Sequence, residues 1–327
     1  MRWPWTRHRD SQRLMLRRAA NGFAFVLTDG PPGDEPPRLL RWGLLPQARP
    51  VTAGEAIAML ELADYQVLKV DTPIVPPEEL KAAARWQIKE LVDAPLDTLT
   101  LDVMHVGGDV DRANRQLFVV AARNEAIQAL TQGSTAVHPE VGIVDIWETG
   151  LRNLLAHRAR ADGLGERACA ALLLDAPQCL LVVCAGDELF YTRRIEADPR
   201  LLARARAGQA EPSAAELPLG FEYQPGGSFE LGGAEESPLV VELQRSIDVW
   251  ERSWPDLPLT RLYVATATHG QEVAALIQRE LGQNTLTLDP FAAFATPAPA
   301  AEGDAALALA ACLPLLGAAL RIENREL

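Results

Sequence analysis

The amino-acid sequence predicts an α/β chain of two related lobes, the first carrying a small inserted α/β subdomain. Three observations lead there. A length of 327 residues exceeds what one simple core organises. Strands followed by helices occur once in each half of the chain. The run LLLDAPQCLLVVCAGDELFYTRRI, residues 172–195, reads as a buried strand, a tight turn, a second strand and a third. Asp175 ends the first of these strands, where a phosphate-binding turn would begin, yet Ala176-Pro177-Gln178 follows it. Such turns need glycine, because backbone N–H groups must approach phosphate oxygens closely and take up φ > 0. Pro177 instead removes a donor and fixes φ.

Composition narrows the functional classes. A hydrophobic fraction of 48% and a charged fraction of 23% are those of an ordinary soluble globular protein. A net charge of −13 argues against nucleic-acid binding, which needs a large basic surface. The sign is uneven: six Arg and one Asp fall within residues 1–18. The four cysteines, Cys169, Cys179, Cys184 and Cys312, show no CxxC pair, and alternation points Cys179 and Cys184 to opposite faces. Buried, reduced thiols and a cytosolic compartment are expected. The basic N-terminus lacks the apolar stretch of a signal peptide. The uncharged run at residues 305–320 is shorter than the roughly 20 residues of a membrane span and reads as a buried terminal helix.

The elements follow in order. After a basic tail, residues 1–12, strands at 13–16 and 23–27 flank the turn Arg17-Arg18-Ala19-Ala20-Asn21-Gly22, and a third strand covers 38–42. Residues 52–62 read as a short helix capped by Thr52, with Glu55 closing a capping box. A strand at 66–70 precedes a helix that Pro76-Pro77 opens and that runs to about residue 92. Strands at 98–106 and 116–122 and a helix at 124–131, capped by Asn124, complete an insert at about 65–135. A strand at 141–145 and a helix at 148–160 close a first lobe of residues 13–160. The second lobe, 161–327, starts with the three strands above. A polar Gly/Pro/Glu-rich stretch at about 203–238 reads as irregular chain. The helix at 239–254 sets Val240, Leu243, Ile247, Trp250 and Trp254 on one stripe. A strand at 261–265, a helix at 271–281, a strand at 285–288, a linker at 292–304 and the terminal helix complete it.

Three strands and then helices, twice over, is the layout of the actin-like ATPase fold, two α/β domains around a nucleotide cleft. Five segments go further: VDTPIVPPEELKAAARWQIKELVDAPLDTLTLDV, LFVVAARNEAI, GIVDIWETGLRNLL, VELQRSIDVWERSW and LLGAALR. Through them the chain, from about residue 14 to 321, resembles the PilM family of actin-like type IV pilus biogenesis proteins, in its MSHA (MshI-like) form. The resemblance implies a cytoplasmic scaffold at the inner membrane that captures the short cytoplasmic tail of a bitopic partner, PilN- or MshJ-like. It also implies ATP binding, with a D-x-G phosphate loop in each lobe and a Gly-Gly adenosine loop. The matching positions here are Leu16, Arg17 and Arg18 in the first loop, Asp175 alone in the second, and Thr266-Ala267-Thr268-His269-Gly270 in the third. Lost Asp removes a ligand for metal-bound water, and lost glycine removes phosphate-cradling backbone. A pseudo-ATPase is therefore expected, with no cofactor. The alternatives are a member that still holds Mg-ATP on diverged loops, and the cytoplasmic part of a type II secretion platform protein.

Each candidate residue carries two readings. Arg17 and Arg18 suit an oxyanion, or form a solvated turn. Asp175 is a relic magnesium ligand, or ends its strand. Trp86 lies about 150° from the stripe of Leu80, Ala84, Ile88 and Leu91, which marks it as a contact for a partner or for another lobe. Trp3 and Trp5 among Arg2, Arg7 and Arg9 suit an anionic membrane surface, or belong to a disordered tail. The five histidines show no metal-ligand spacing, and no Ser-His-Asp or Cys-His nucleophile is legible.

Overall fold

Thirteen strands and six α-helices appear among the described residues, in an order that repeats. The computed structural model describes residues 11–30, 35–107, 115–175, 178–198, 200, 201, 205 and 237–322. The chain starts with β1 (Gln12–Ala19), β2 (Gly22–Asp29), β3 (Arg38–Leu45) and β4 (Glu55–Met59). The insert follows as β5 (Tyr65–Asp71), α1 (Pro77–Gln87), β6 (Leu99–His105), β7 (Gln116–Arg123) and α2 (Asn124–Ser134). Then come β8 (Ile143–Asp145) and α3 (Trp147–Ala161). The second half holds β9 (Ala168–Leu173), β10 (Gln178–Ala185), β11 (Glu188–Glu196), α4 (Pro238–Ser253), β12 (Leu259–Ala265), α5 (Gly270–Leu281), β13 (Thr285–Thr287) and α6 (Ala305–Ala318).

The two lobes share one sheet design. The first sheet runs β3-β2-β1-β4-β8 and the second β11-β10-β9-β12-β13. In each, three antiparallel strands lead and two parallel strands follow. Strands covered on both faces, by helices or by the other lobe, are largely apolar. β10 shows this: Leu180, Val182 and Cys184 enter one core and Cys179, Leu181 and Val183 another. The cysteine alternation expected from sequence is therefore observed.

One continuous core joins the inner faces of both sheets through α3 and α6. The Ala/Leu composition of α6 lets helices approach closely, and where α6 meets α3 the contact is glycine to glycine. A Cβ placed on Gly317 would stand 1.9 Å from the carbonyl oxygen of Gly150. The α6 helix starts from Asp304, whose carboxylate accepts from the backbone N–H of Leu307 (2.9 Å), and it packs on β1, β2 and β3 of the first lobe. The second lobe's outer face is covered by α4 and α5, with Leu243 and Trp250 fully buried. The insert is a three-stranded sheet, β5-β7-β6, with its own core against Leu80, Ala84 and Ile88.

Four local expectations are corrected. Residues 52–62 contain the strand β4, not a helix: Ala56, Ile57, Ala58 and Met59 are all buried at 0–1%, and a short run buried on both faces carries no period. The α1 helix stops at Gln87, so Leu91 leaves the apolar stripe and is 54% exposed. Asn124 does not cap α2; its side chain instead accepts from Thr100 Oγ1 (2.8 Å) and donates to the carbonyl of Asp97 (3.1 Å). The first hairpin turns at Ala20-Asn21, which puts Arg17 and Arg18 inside β1.

Candidate functional site

In sheets of this design ligands bind beyond the carboxyl ends of the parallel strands. There the chain places four carboxylates: Glu61 just after β4, Asp145 at the end of β8, Glu148 in the first turn of α3, and Asp175 just after β9. Each is already occupied by the protein itself.

Arg17 projects from β1 at the level of Met59 and Asp145. Its guanidinium donates to Glu61 Oε1 (3.2 Å) and to the carbonyl of Ala311, and lies 4.7 Å over the ring of Trp147. Trp147 is fixed by its own indole N–H, which donates to the carbonyl of Leu60 (2.8 Å). Burial lowers the Arg17 pKa, and Glu61 works against that; burial likewise raises the Glu61 carboxyl. Arg18 points elsewhere, to the carbonyl of Ala129 in α2 (3.0 Å).

Asp145 is 2% exposed. Its Oδ1 accepts from the N–H of Ile146 (2.8 Å) and from Thr149 Oγ1 (2.5 Å), and its Oδ2 pairs with Arg321 (3.1 Å). Glu148, 1% exposed, accepts from Tyr65 Oη (2.5 Å) and pairs with Arg194 (3.3 Å). Desolvation pushes the Glu148 carboxyl upward, opposed by Arg194 and by the Tyr65 hydroxyl.

In the second lobe, Asp175 accepts from Thr266 Oγ1 (3.1 Å) and from the N–H of Ala267. Burial raises its pKa against both hydrogen bonds. Gly270 opens α5 beside this loop, its Cβ position 2.9 Å from Thr287 and 3.5 Å from Thr266. The fold thus brings Asp175, Thr266 and Gly270 together, while Arg17 belongs to a separate cluster with Glu61 and Trp147. Ala176 and Pro177 lie outside the described residues, as do Trp3, Trp5 and the rest of residues 1–10 of the basic tail, and most of the 203–238 stretch. Among the described residues no cluster of three or more His, Cys, Asp or Glu is arranged for a metal, and no helix is long and apolar enough to cross a membrane.

Trp86 is 69% exposed on the insert, and Ile74 and Leu91 of the same subdomain are exposed as well. A cavity of about 310 Å³ sits at the hinge between the insert and the first lobe, lined by Asp64, Tyr65, Gln66, Asp93, Leu99 and Arg123. Trp86 does not line it. Beside this crevice β5 bonds only to β7, and no described strand pairs with its other edge. Sequence reasoning did not single out Glu61, Asp145, Glu148, Tyr65 or Arg194. The acidic pair bracketing the strand–helix junction in VDIWE was the available signal; Arg194 gave none, because its partners Glu148, Tyr65 and Leu62 lie 46, 129 and 132 residues away in the chain.

Two sheets of one order around a shared helix pair, with an insert in the first, define an actin-like fold. Comparison with solved structures agrees. A chain of a PilM–PilN type IV pilus biogenesis complex superposes over 95% of this chain and 99% of its own, with a TM-score of 0.62 at 18% identity. Two others align more loosely. One is a Bacteroides thetaiotaomicron protein of actin-like ATPase fold and unknown function (TM-score 0.45, 10% identity, covering 89% and 95%). The second is the cytoplasmic domain of EpsL, an inner-membrane component of the Vibrio cholerae type II secretion system (TM-score 0.44, 10% identity, covering 96% and 97%). No protein-family model and no curated protein sequence matches the chain.

Proposed function

We propose that this chain is a non-catalytic scaffold for biogenesis of a type IV pilus of the MSHA kind. It acts at the cytoplasmic face of the inner membrane and holds the cytoplasmic tail of a PilN- or MshJ-like assembly protein. The observation that carries the non-catalytic reading is the internal pairing of Glu61, Asp145, Glu148 and Asp175. A Mg-nucleotide needs free carboxylate oxygens for its metal-bound water and free backbone N–H groups for phosphate. Asp175 already takes the N–H of Ala267, and Arg17 is already neutralised by Glu61. Support for the pilus role comes from the likeness along nearly the whole chain to a member of a PilM–PilN complex. The hinge crevice, with the unpaired edge of β5 beside it, suits an extended tail that adds backbone hydrogen bonds to a sheet edge.

Calorimetric titration with Mg-ATP tests the first half. No heat and no thermal shift up to millimolar nucleotide is expected. Binding at micromolar affinity would overturn the reading and return Arg17, Arg18 or Asp175 to phosphate recognition. For the second half, a synthetic tail peptide of the PilN-type partner should bind wild type and bind Lys69→Pro weakly, since Lys69 is exposed and its backbone N–H lies on the side of β5 away from β7, where proline removes an edge donor. Equal isotherms would exclude the β5 edge.

A further inference from the structure

The insert and the second lobe, which have no chain connection in common, touch along the strand β11 among the described residues. This is the edge strand of the second sheet. At its start, the carbonyl of Leu189 accepts from the N–H of Gly107 (2.8 Å), at the end of the insert's β6. Gly107 has φ +71°, and a Cβ there would sit 2.5 Å from the Phe190 ring. Near the other end of β11, Arg194 crosses to the hinge. Its guanidinium donates to the carbonyls of Leu62 and Tyr65 (3.2 Å for Tyr65), pairs with Glu148, and lies 4.6 Å over the Tyr65 ring. Tyr65 is the first residue of β5, where the insert leaves the first lobe. Its hydroxyl in turn donates to Glu148 and accepts from the N–H of Trp147 (3.1 Å) at the start of α3.

We propose that Arg194 is a latch that fixes the inserted subdomain against the second lobe, with Tyr65 as its keeper. The guanidinium is suited to this because its planar fork serves two carbonyls and one carboxylate while its face stacks on the ring. One residue therefore ties three bodies: the insert through Tyr65, the first lobe through Leu62 and Glu148, and the second lobe through β11. Tyr65 also lines the hinge crevice, so whatever displaces Tyr65 there opens the latch, and opening the latch reshapes the crevice; coupling of this kind is reciprocal. The inference goes beyond the scaffold reading and stands whether or not a pilus partner fills the crevice.

The test uses the full chain and no partner. Lys69 on β5 and Gln271 on α5 are exposed, and the four native thiols are buried, so Lys69→Cys and Gln271→Cys accept spin labels selectively. Pulsed dipolar spectroscopy should give one narrow distance distribution for the otherwise wild-type chain. Arg194→Met should add a second, longer population, and Arg194→Lys, which keeps the charge but loses the fork, should fall between. Because Arg194→Met leaves Glu148 buried without its cation, the double variant Arg194→Met/Glu148→Gln removes both charges and should show the same second population. A narrow, wild-type distribution in the folded double variant would show that Arg194 only neutralises Glu148, and would overturn the latch. Failure of both variants to reach a native core would overturn it too, by making Arg194 part of the fold rather than a releasable contact.

Discussion

Replacing Gly317 by alanine should loosen the whole molecule from its centre. The added methyl would stand 1.9 Å from the Gly150 carbonyl oxygen and 2.9 Å from its Cα, whereas ordinary contact begins at 3.4 Å. Both obstacles are backbone, so no rotamer change relieves the 1.5 Å shortfall between 1.9 and 3.4 Å; α3 and α6 must part. Separation of even 0.5–1 Å forfeits about a quarter to a half of each dispersion contact across the seam, where Leu151, Leu155, Leu313 and Leu316 are all buried at 0–1%. Overpacking of this kind costs about 3 kcal/mol. Stretching the bond from Asn153 Nδ2 to the Gly317 carbonyl (3.0 Å) costs about 1 more. Alanine returns about 1 kcal/mol of helix propensity, which leaves a net loss of about 3. The comparison is Gly133→Ala in α2, where the nearest atom to the new methyl is Arg18 Nη2 at 3.6 Å; it should be neutral or stabilising by up to about 1 kcal/mol. Urea titration followed by tryptophan fluorescence reads both. A Gly317→Ala midpoint equal to or above wild type would refute the close-crossing argument.

Three further outcomes are expected. Trp86→Ala should change stability by no more than about 0.5 kcal/mol, because the side chain is 69% exposed, and it should weaken tail-peptide binding; an unchanged isotherm would remove Trp86 from the partner surface. Asp162 accepts from Tyr263 Oη (2.7 Å), Arg261 (2.8 Å) and Arg158 (3.2 Å). Burial raises its pKa, but these hydrogen bonds outweigh burial and hold it below the usual 3.8. A depressed carboxyl contributes stability that is present above its unfolded value and is lost as pH falls through the folded one. Asp162→Asn should therefore cost about 2–3 kcal/mol at pH 7, with the gap to wild type closing below pH 3.8 in acid titrations monitored by circular dichroism. Finally, burial pushes the thiols of Cys169 and Cys179 up to about 11 and that of Cys312 to about 12, and raises Cys184 as well. A thiol-disulfide reagent at pH 7 should find no reactive cysteine in the folded chain and four after unfolding.

Much of the fold was legible because its strands are apolar and its helices periodic. The α4 stripe of Val240, Leu243, Ile247 and Trp250 is buried as its spacing implies, and the strand triplet at residues 168–196 stands where the apolar runs put it. Legibility failed where environment overrides pattern. EAIAM in β4 is buried on both faces, so it has no alternation to read. The capping box expected there, Thr52 with Glu55, is local chemistry that the sheet overrode: Glu55 pairs across the strands with Arg13 (2.8 Å). The degenerate loops were visible as missing glycines, but what fills their place was not. That Arg17 sits on Trp147 and Glu61, and that Asp175 holds the Thr266 loop, depends on contacts 44 to 130 residues apart in the chain.

The position of α6 bears on how the chain is made. This helix follows every other described element in the chain, yet it seals the first lobe: Cys312, Leu315 and Leu316 share a core with Phe25 and Trp42. Just ahead of it, the Trp42 indole donates to the carbonyl of Pro299 (2.8 Å), and Glu302 pairs with Arg41 and Arg49. During synthesis at about 5–20 residues per second, the N-terminal sheet waits for some 257 residues before Trp42 meets Pro299. Until then Phe25 and Trp42 present apolar surface that invites self-association. The lobe that emerges first is thus completed last. A fragment ending after α3 would lack its lid, and small losses near residue 320 would be felt most strongly at the opposite end of the chain.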